Sequence, residues 1–588
     1  MLFGKHINRY YLRYSWLLLL GILALLAVDV AQLLIPELYA AVVDGLDPTT
    51  SATLTAEILV QISMELLVIA AVMIAGRFLW RVCFFGAACR VEAKIRDRMF
   101  DKCRTLSQEF YQENKVGGLM SLFTNDLETI NECFGDGALM LFDALALGTL
   151  SIVKMARLDG MLTLYSMIPL IFMGAVALIV GQYMQKKWEA RQAAFSDLSD
   201  FAQETFSGIA VIKAFVREAH ELSVFRKKNK HNEKVNVSYT RASVLLNVFI
   251  TLFVQSVICV ILGYGGWLVY SDPNFKVSQL IEFISYFTTV IWPIMAVSNL
   301  IEMTSRGRAS LGRISKLLDE EPKVCDREGA LSLPEVRGEV EFRGLTFRYP
   351  DGEFDVLHNV SFTVKAGEHV GIIGKTGAGK TTLLDLLLRT YTVEDGTLFL
   401  DGHDINSLTL KTVRESIAYV PQDNFLFSDT IGANIAFSKG GEAPTEEIEE
   451  ASRLAALHDN VAAFPEGYAT VLGERGVTIS GGQKQRTSIA RALLKDAAVL
   501  ILDDAVSAVD TGTESLILDN LARTRRGKTT VMIAHRVSTV ERMDRVVYLE
   551  DGHVVAIGTH EELIDSCPDY ANLVKLQRLE DEIGGKNS

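Results

Sequence analysis

Apolar residues gather into six long runs in the first half of the chain, near 16–35, 59–80, 138–156, 161–184, 244–270 and 280–301. Each run is roughly 19–27 residues long, enough to carry a helix across a ~30 Å hydrocarbon layer. A backbone in lipid must satisfy its own hydrogen bonds, so the pattern predicts six membrane-spanning helices. The polar stretches between them are of two kinds. Those near 44–57, 157–160 and 271–277 are short, whereas 81–137 and 185–241 are long. The long ones carry Arg90, Lys94, Arg96 and Arg98, then Lys186, Lys187, Arg191, Arg226, Lys227 and Lys228. This basic bias places both in the cytoplasm. Helical patterning runs into them from the flanking spans, which predicts helices projecting well beyond the bilayer toward a cytoplasmic domain. Lys5, Arg9 and Arg13 precede the first run, as in a signal peptide. That run is long and more spans follow, so it reads as a retained first helix with a cytoplasmic N-terminus.

From about Gly338 onward the pattern becomes that of a soluble α/β protein. Val370-Gly-Ile-Ile-Gly374 is a β-branched run of the kind that forms a buried strand. Gly374-Lys375-Thr376-Gly377-Ala378-Gly379-Lys380-Thr381 follows, and then an apolar helix at 382–388 that begins with Thr382. Strand, loop and helix are the setting that the phosphate-binding pattern GxxxxGK[ST] requires. Its glycines let backbone N–H groups close around phosphate oxygens, and the helix N-terminus adds partial positive charge. Lys380 is placed to reach the β- and γ-phosphates of ATP, and Thr381 to hold Mg2+. Further on, the apolar strand 498–502 ends in Asp503 and Asp504. Asp503 suits the Mg2+ side, and Asp504 stands where a base orients the attacking water.

Between these motifs lies Ile479-Ser480-Gly481-Gly482-Gln483, at the head of a helix. Among phosphate-loop proteins this string resembles the signature of the ATP-binding cassette (ABC) family. The family's other elements appear in order. Tyr349 resembles the aromatic that stacks on adenine. Gln422, in Tyr419-Val-Pro-Gln422, resembles the glutamine that senses Mg2+ and the membrane domain. Gly473-Glu-Arg-Gly476 resembles the loop found before the signature in exporters. Ser507-Ala-Val-Asp510 resembles the D-loop, and His535 the switch histidine near the γ-phosphate.

The first half resembles the exporter-type membrane domain of the same family. The resemblance implies an ABC half-transporter: a six-helix transmembrane domain over 1–318, a linker over 319–337 and an α/β nucleotide-binding domain over 338–588. It also implies coupling helices near 107–111 and 208–215, ATP and Mg2+ as cofactors, and a bacterial plasma membrane with the nucleotide-binding domain in the cytoplasm. Sites in this family are composite, with the Walker motifs of one cassette facing the signature of another. A second half-transporter is therefore implied as partner.

Two residues depart from the family pattern. Ile479 replaces a leucine, a volume-conserving change. Asp504 replaces the catalytic glutamate and is one methylene shorter, drawing the carboxylate back by ~1 Å or more, a misplacement that can cost ~100-fold in rate. A weak carboxylate beside an intact signature resembles one member of the heterodimeric bacterial multidrug exporters, whose partner supplies the glutamate. A homodimer in which Asp504 recovers its reach through a water or a backbone shift stays open.

Composition narrows the rest. A mean hydropathy of +0.22 excludes a wholly soluble protein. A net charge of −14 argues against nucleic acid as a partner. The seven cysteines form no CxxC pair and no metal-ligand spacing with histidine, and read as reduced thiols. Asp29 and Gln32 sit at membrane depth, where a carboxylate either faces a cavity or orients helices through buried hydrogen bonds. Phe249, Phe253, Phe283, Tyr286, Phe287 and Trp292 are candidates to line an apolar pocket. The expected activity is ATP-driven export of amphipathic or hydrophobic compounds by alternating access, with membrane lipids and a hydrophobic small molecule as further partners. The rivals are a lipid or peptide exporter, and an ATP-gated channel or sensor.

Overall fold

The computed structural model describes residues 4–46, 55–473, 476 and 479–584. The chain divides into two compact units. One comprises Met1–Asp101 and Met120–Asp319, the other Lys102–Leu119 and Glu320–Ser588.

The first unit is helical: α1 (Ser15–Leu46), α2 (Ala56–Thr105, whose last turn enters the second unit), α3 (Leu127–Leu158), α4 (Gly160–Ser207), α5 (Glu218–Ser271) and α6 (Val277–Asp319). A helix at Val116–Ser121 and a π-helical turn at Leu122–Asp126 lead into α3. Among the described residues, α1, α2, α5, α6 and the stretch Val116–Leu158 are long and apolar enough to cross a membrane. The sixth apolar run, 161–184, lies within α4. At 1.5 Å per residue, the 50 residues of α2 reach about 75 Å, more than twice the hydrocarbon thickness. The helices thus continue far past the spans, as the patterning requires.

α3 packs along α6 with α1 beside both, while α4 pairs with α5. Small residues permit the close crossings that lipid, offering no hydrophobic drive, would not otherwise favour. A Cβ on Gly76 would lie 2.5 Å from Val28 Cγ2, and one on Gly265 2.4 Å from Leu280 Cδ1. Phe283, Tyr286 and Phe287 are fully buried in a core with Leu147, Met155, Val257 and Ile261. They pack in this core and are not among the residues that line the cavity beside Asp29. Phe249 and Phe253 sit together on α5, 6.1 Å apart, away from the cavity that Trp292 does line. At the chain start, Lys5 and His6 reach Asp319 at 2.7 and 3.0 Å, fastening the N-terminus to the end of α6.

The second unit holds two sheets. Strands β1 (Val340–Phe347), β2 (Leu357–Val364), β4 (Leu398–Leu400) and β5 (His403–Asp404) form an antiparallel sheet in the order β2-β1-β4-β5. Strands β3 (His369–Gly374), β6 (Ile417–Val420), β7 (Val499–Asp503), β8 (Thr529–Ile533), β9 (Arg545–Glu550) and β10 (His553–Gly558) form the other, ordered β10-β9-β3-β8-β7-β6. Only β10 runs antiparallel there. β7 and β8 are buried at every position, as parallel strands covered on both faces must be. Helices α7 (Lys380–Leu387), α8 (Gly481–Lys495), α9 (Thr511–Thr524) and α10 (Val537–Val540) pack around it. A short helix, Gln108–Glu113, belongs to this unit, and another, Ile209–Ala214, caps the tip between α4 and α5.

Candidate nucleotide site

Register brings the site together. Ile372 of β3 pairs with Ile533 of β8, which pairs with Asp503 of β7, whose neighbour Leu502 pairs with Val420 of β6. The phosphate loop, Gln422, Asp503, Asp504 and His535 therefore all leave the same carboxyl edge of the parallel sheet. That edge is where open α/β sheets place their ligands.

The loop itself has little freedom to be built otherwise. A Cβ on Gly374 would stand 2.0 Å from the Leu549 carbonyl oxygen. Gly379 caps α7 with φ +89°, and a Cβ there would lie 2.7 Å from Leu357 Cδ2. Lys375 pairs with Glu550 at the rim. Gly377 takes φ +85°, and the buried Ala378 donates its N–H to the Lys375 carbonyl. Thr376 completes the turn. Lys380 is only 6% exposed, and its ammonium donates to the carbonyls of Gly374 and Lys375 at 2.8 and 2.9 Å. Burial lowers its pKa, while Asp503 and Asp504 act to raise it. The two carboxylates thus partly offset the desolvation of this cation.

Asp503 is 1% exposed. Its Oδ1 accepts from the Thr381 hydroxyl at 3.4 Å, and its Oδ2 has no hydrogen-bond partner. Burial pushes the carboxyl's pKa up, against the pull of Thr381. Among the described residues no group of three or more His, Cys, Asp or Glu could hold a metal alone. One orphaned carboxylate oxygen beside a hydroxyl fits Mg2+, which takes few protein ligands and completes its shell with phosphate and water. Tyr349 places its hydroxyl 2.9 Å from Thr382 and packs edge-on against Tyr391 at 5.2 Å. His535 is exposed beyond β8, its carbonyl accepting from Gln577 at 2.6 Å. Gln422 is exposed, with its carbonyl bonded to Asn424.

Asp504 occupies the left-handed region, φ +48°. Its N–H donates to the Ile533 carbonyl at 2.9 Å, and its own carbonyl accepts from Ser507 Oγ at 2.9 Å and Gln485 Nε2 at 3.2 Å. The backbone is held on both sides. Asp510 uses both carboxylate oxygens to cap α9, accepting from Thr513 N and Oγ1 at 3.0 and 2.7 Å. Its carboxylate shapes the D-loop.

The signature opens α8 with a capping box. Ser480 Oγ accepts from Gln483 N at 3.3 Å, and Gln483 Oε1 accepts from Ser480 N at 3.0 Å. Gly481 and Gly482 differ in a telling way. A Cβ on Gly482 would meet the Ala508 carbonyl at 2.9 Å, whereas one on Gly481 meets nothing within 4 Å among the described residues. Ile479 packs in the core beneath α8 as a leucine would. In the loop before it, Glu474 and Arg475 lie outside the described residues.

Three participants escaped the sequence reading. Gln485 ties α8 to the Walker carboxylate loop, and its only signal was a second glutamine after the signature. Tyr391, beside Tyr349, accepts no motif. Asp143 stands in a spanning run beside Asp29, and its charge alone could have marked it.

Residues 18–294 match the ABC transporter transmembrane region and residues 357–507 the ABC transporter family. The multidrug resistance-like ATP-binding protein MdlA of Escherichia coli is 36% identical, with 97% of this chain and 96% of that protein aligned. The chain belongs to the ABC transporter family. A probable multidrug resistance ABC transporter ATP-binding/permease protein, YheI of Bacillus subtilis, is 35% identical over 98% of this chain and 97% of its own. An ATP-dependent lipid A-core flippase of Syntrophus aciditrophicus is 36% identical over 84% of this chain and 82% of its own. A solved bacterial Atm1-family ABC exporter with ATP bound superposes with a TM-score of 0.78 at 26% identity, over 97% of this chain and 99% of that one. This ABC half-transporter is thus an ATP-hydrolysing, multi-pass membrane transporter of the exporter type, and ABC exporters work as dimers.

Proposed function

We propose that this exporter moves amphipathic or hydrophobic compounds out of the cell as one half of a heterodimer with unequal ATPase sites. Residues 1–318 form the membrane domain, 319–337 the linker and 338–588 the cassette. Mg2+-ATP is held by the phosphate loop from Gly374 to Thr382, by Asp503 and Gln422, and by Tyr349 against the base, with His535 near the γ-phosphate. Ser480, Gly481, Gly482 and Gln483 serve the partner's nucleotide, and Asp510 shapes the junction. The names of the Escherichia coli and Bacillus subtilis relatives support the multidrug reading.

The observation that carries the asymmetry is the pinned backbone of Asp504. A homodimer needs this shortened carboxylate to recover reach, and a backbone shift would break the bonds to Ile533, Ser507 and Gln485. The homodimeric lipid exporter is the second reading, favoured by the flippase relative.

Asp504→Asn and Gly481→Asp in the purified complex separate the two. In a heterodimer Asp504→Asn lowers steady-state ATPase by less than about threefold. Gly481→Asp sets a carboxylate against phosphate in the productive site and lowers it by about 100-fold or more. Equal, near-complete losses would sink the asymmetric reading.

A further inference from the structure

Strand β8 ends at Ile533, and after Ala534 the chain turns through His535 and Arg536 into the short helix α10. Such a turn strands backbone groups. The His535 carbonyl lies beyond the strand's ladder, and the first N–H of a helix has no partner within the helix. Arg536 stands at the N-cap and supplies no side-chain cap, where Ser, Thr, Asp or Asn would. One side chain, 40 residues beyond Val537, meets both needs. Gln577 Nε2 donates to the His535 carbonyl at 2.6 Å, and Gln577 Oε1 accepts from the Val537 N–H at 2.7 Å.

Gln577 belongs to the helix Pro568–Gly584. Tyr570 and Val574 share its helical face. Both are buried in a core with Ile373, Ala534, Val537 and Tyr548. That packing seats the helix beside the end of β8 and leaves Gln577 half-buried at the edge of the core. A carboxamide carries a donor and an acceptor side by side, which matches a carbonyl and an N–H two residues apart. The reverse amide orientation would set like against like at both contacts. Further along, Arg536 and Thr539 reach the buried Glu514 of α9 at 3.5 and 2.5 Å. The imidazole of His535, by contrast, is exposed and makes no hydrogen bond among the described residues. Its direction is set by the backbone that Gln577 holds.

We infer that Gln577 is a positioning residue for the nucleotide site, holding the backbone after His535 so that the imidazole meets the γ-phosphate of ATP. This role rests on the placement of His535 near the γ-phosphate proposed above. With its carbonyl and the Val537 N–H both tied, the turn keeps one conformation. Released, it samples others, and the contact from imidazole to phosphate weakens. ADP lacks the γ-phosphate, so its binding does not depend on that contact. Gln577→Glu keeps the acceptor for Val537 but sets a carboxylate oxygen against the His535 carbonyl and loses that bond. Gln577→Leu loses both bonds while keeping most of the side chain's volume.

Photolabelling of the purified full-length complex on ice with a radiolabelled azido-adenine analogue of ATP, competed by ATP or by ADP, tests this. The label is read on this chain's own band, so each competition reports the nucleotide held by this chain's phosphate loop. Gln577→Glu lowers the preference for ATP over ADP by roughly fivefold, the worth of one hydrogen bond, and Gln577→Leu lowers it further. Affinity for ADP changes by less than about twofold in both. His535→Ala lowers the same preference, and adding Gln577→Glu to it brings no further loss, because the glutamine acts through the histidine. Losses that multiply in the double variant overturn the role, and so does an equal loss for ATP and ADP, which marks a brace of the cassette alone. A preference that falls in His535→Ala and holds in both Gln577 variants overturns it and leaves the placement of His535 standing. A preference unmoved by His535→Ala overturns both.

Discussion

Asp385, on the helix that follows the phosphate loop, has a cost that depends on pH. Burial first, and then the charge of Asp503, pushes its carboxyl from 3.8 up to about 6. Between those values the folded cassette keeps a proton that the unfolded chain has released. Stability therefore falls as pH rises through that window and levels off above it. The full shift corresponds to up to about 3 kcal/mol, and about 2 kcal/mol is reasonable for a group that is only partly buried. Asp385→Asn removes the charge and keeps the shape. The cassette's unfolding transition at pH 7.5 then moves up by about 4 °C, and the slope between pH 4 and 6 flattens. Differential scanning calorimetry of the purified complex decides it, since an unaltered slope would show that Asp385 does not titrate there. The sequence could not reveal this. A motif string fixes Lys380 and Asp503 because chemistry demands those types at that spacing. Asp385 matters through the residue it faces across the fold, and only register brings them together.

At the scale of elements, the short helix Gln108–Glu113 is joined to the nucleotide site by a line of contacts within one unit. Tyr391 donates its hydroxyl to Gln112 Oε1 at 2.6 Å and sets its ring against Tyr349, whose hydroxyl meets Thr382 on α7. Glu109 pairs with Lys323 alongside. Burial pushes the Tyr391 hydroxyl up to about 12, so it stays a donor throughout the physiological range. Tyr391→Phe keeps the ring and deletes one hydrogen bond, worth about 1 kcal/mol or roughly fivefold. The number of substrate molecules moved per ATP in proteoliposomes falls by about that factor, while the KM for ATP changes less than twofold. If KM rises as much as transport falls, the tyrosine acts on nucleotide binding and carries no signal between helix and site. The helix was expected near 107–111 only through the resemblance to the family's coupling helices. Its partner was not, because Tyr391 belongs to no periodic pattern.

For the molecule as a whole, the pattern of runs and loops pointed to six long helices, since lipid tolerates few alternatives, and the motifs and their family resemblance pointed to an α/β cassette. Which aromatics face a cavity was misjudged, because a ring looks alike in sequence whether it packs or lines. Orientation has a direct check. Cys325 is exposed in the segment between α6 and β1. In a variant keeping that cysteine alone, a membrane-impermeant maleimide leaves intact cells unlabelled and labels inverted vesicles. The reverse pattern would place the cassette outside.

Gly481 and Gly482 are adjacent in the chain and answer to different neighbours. Gly482 is held small by Ala508 of its own fold, whereas nothing among the described residues within 4 Å limits Gly481. In the proposed dimer the limit on Gly481 is set by the opposite cassette. Heredity then treats the two positions differently: a lesion at Gly482 is repaired by second changes in the same gene. In the proposed heterodimer one at Gly481 is repaired from the gene of the partner, and the two genes would drift as a matched pair.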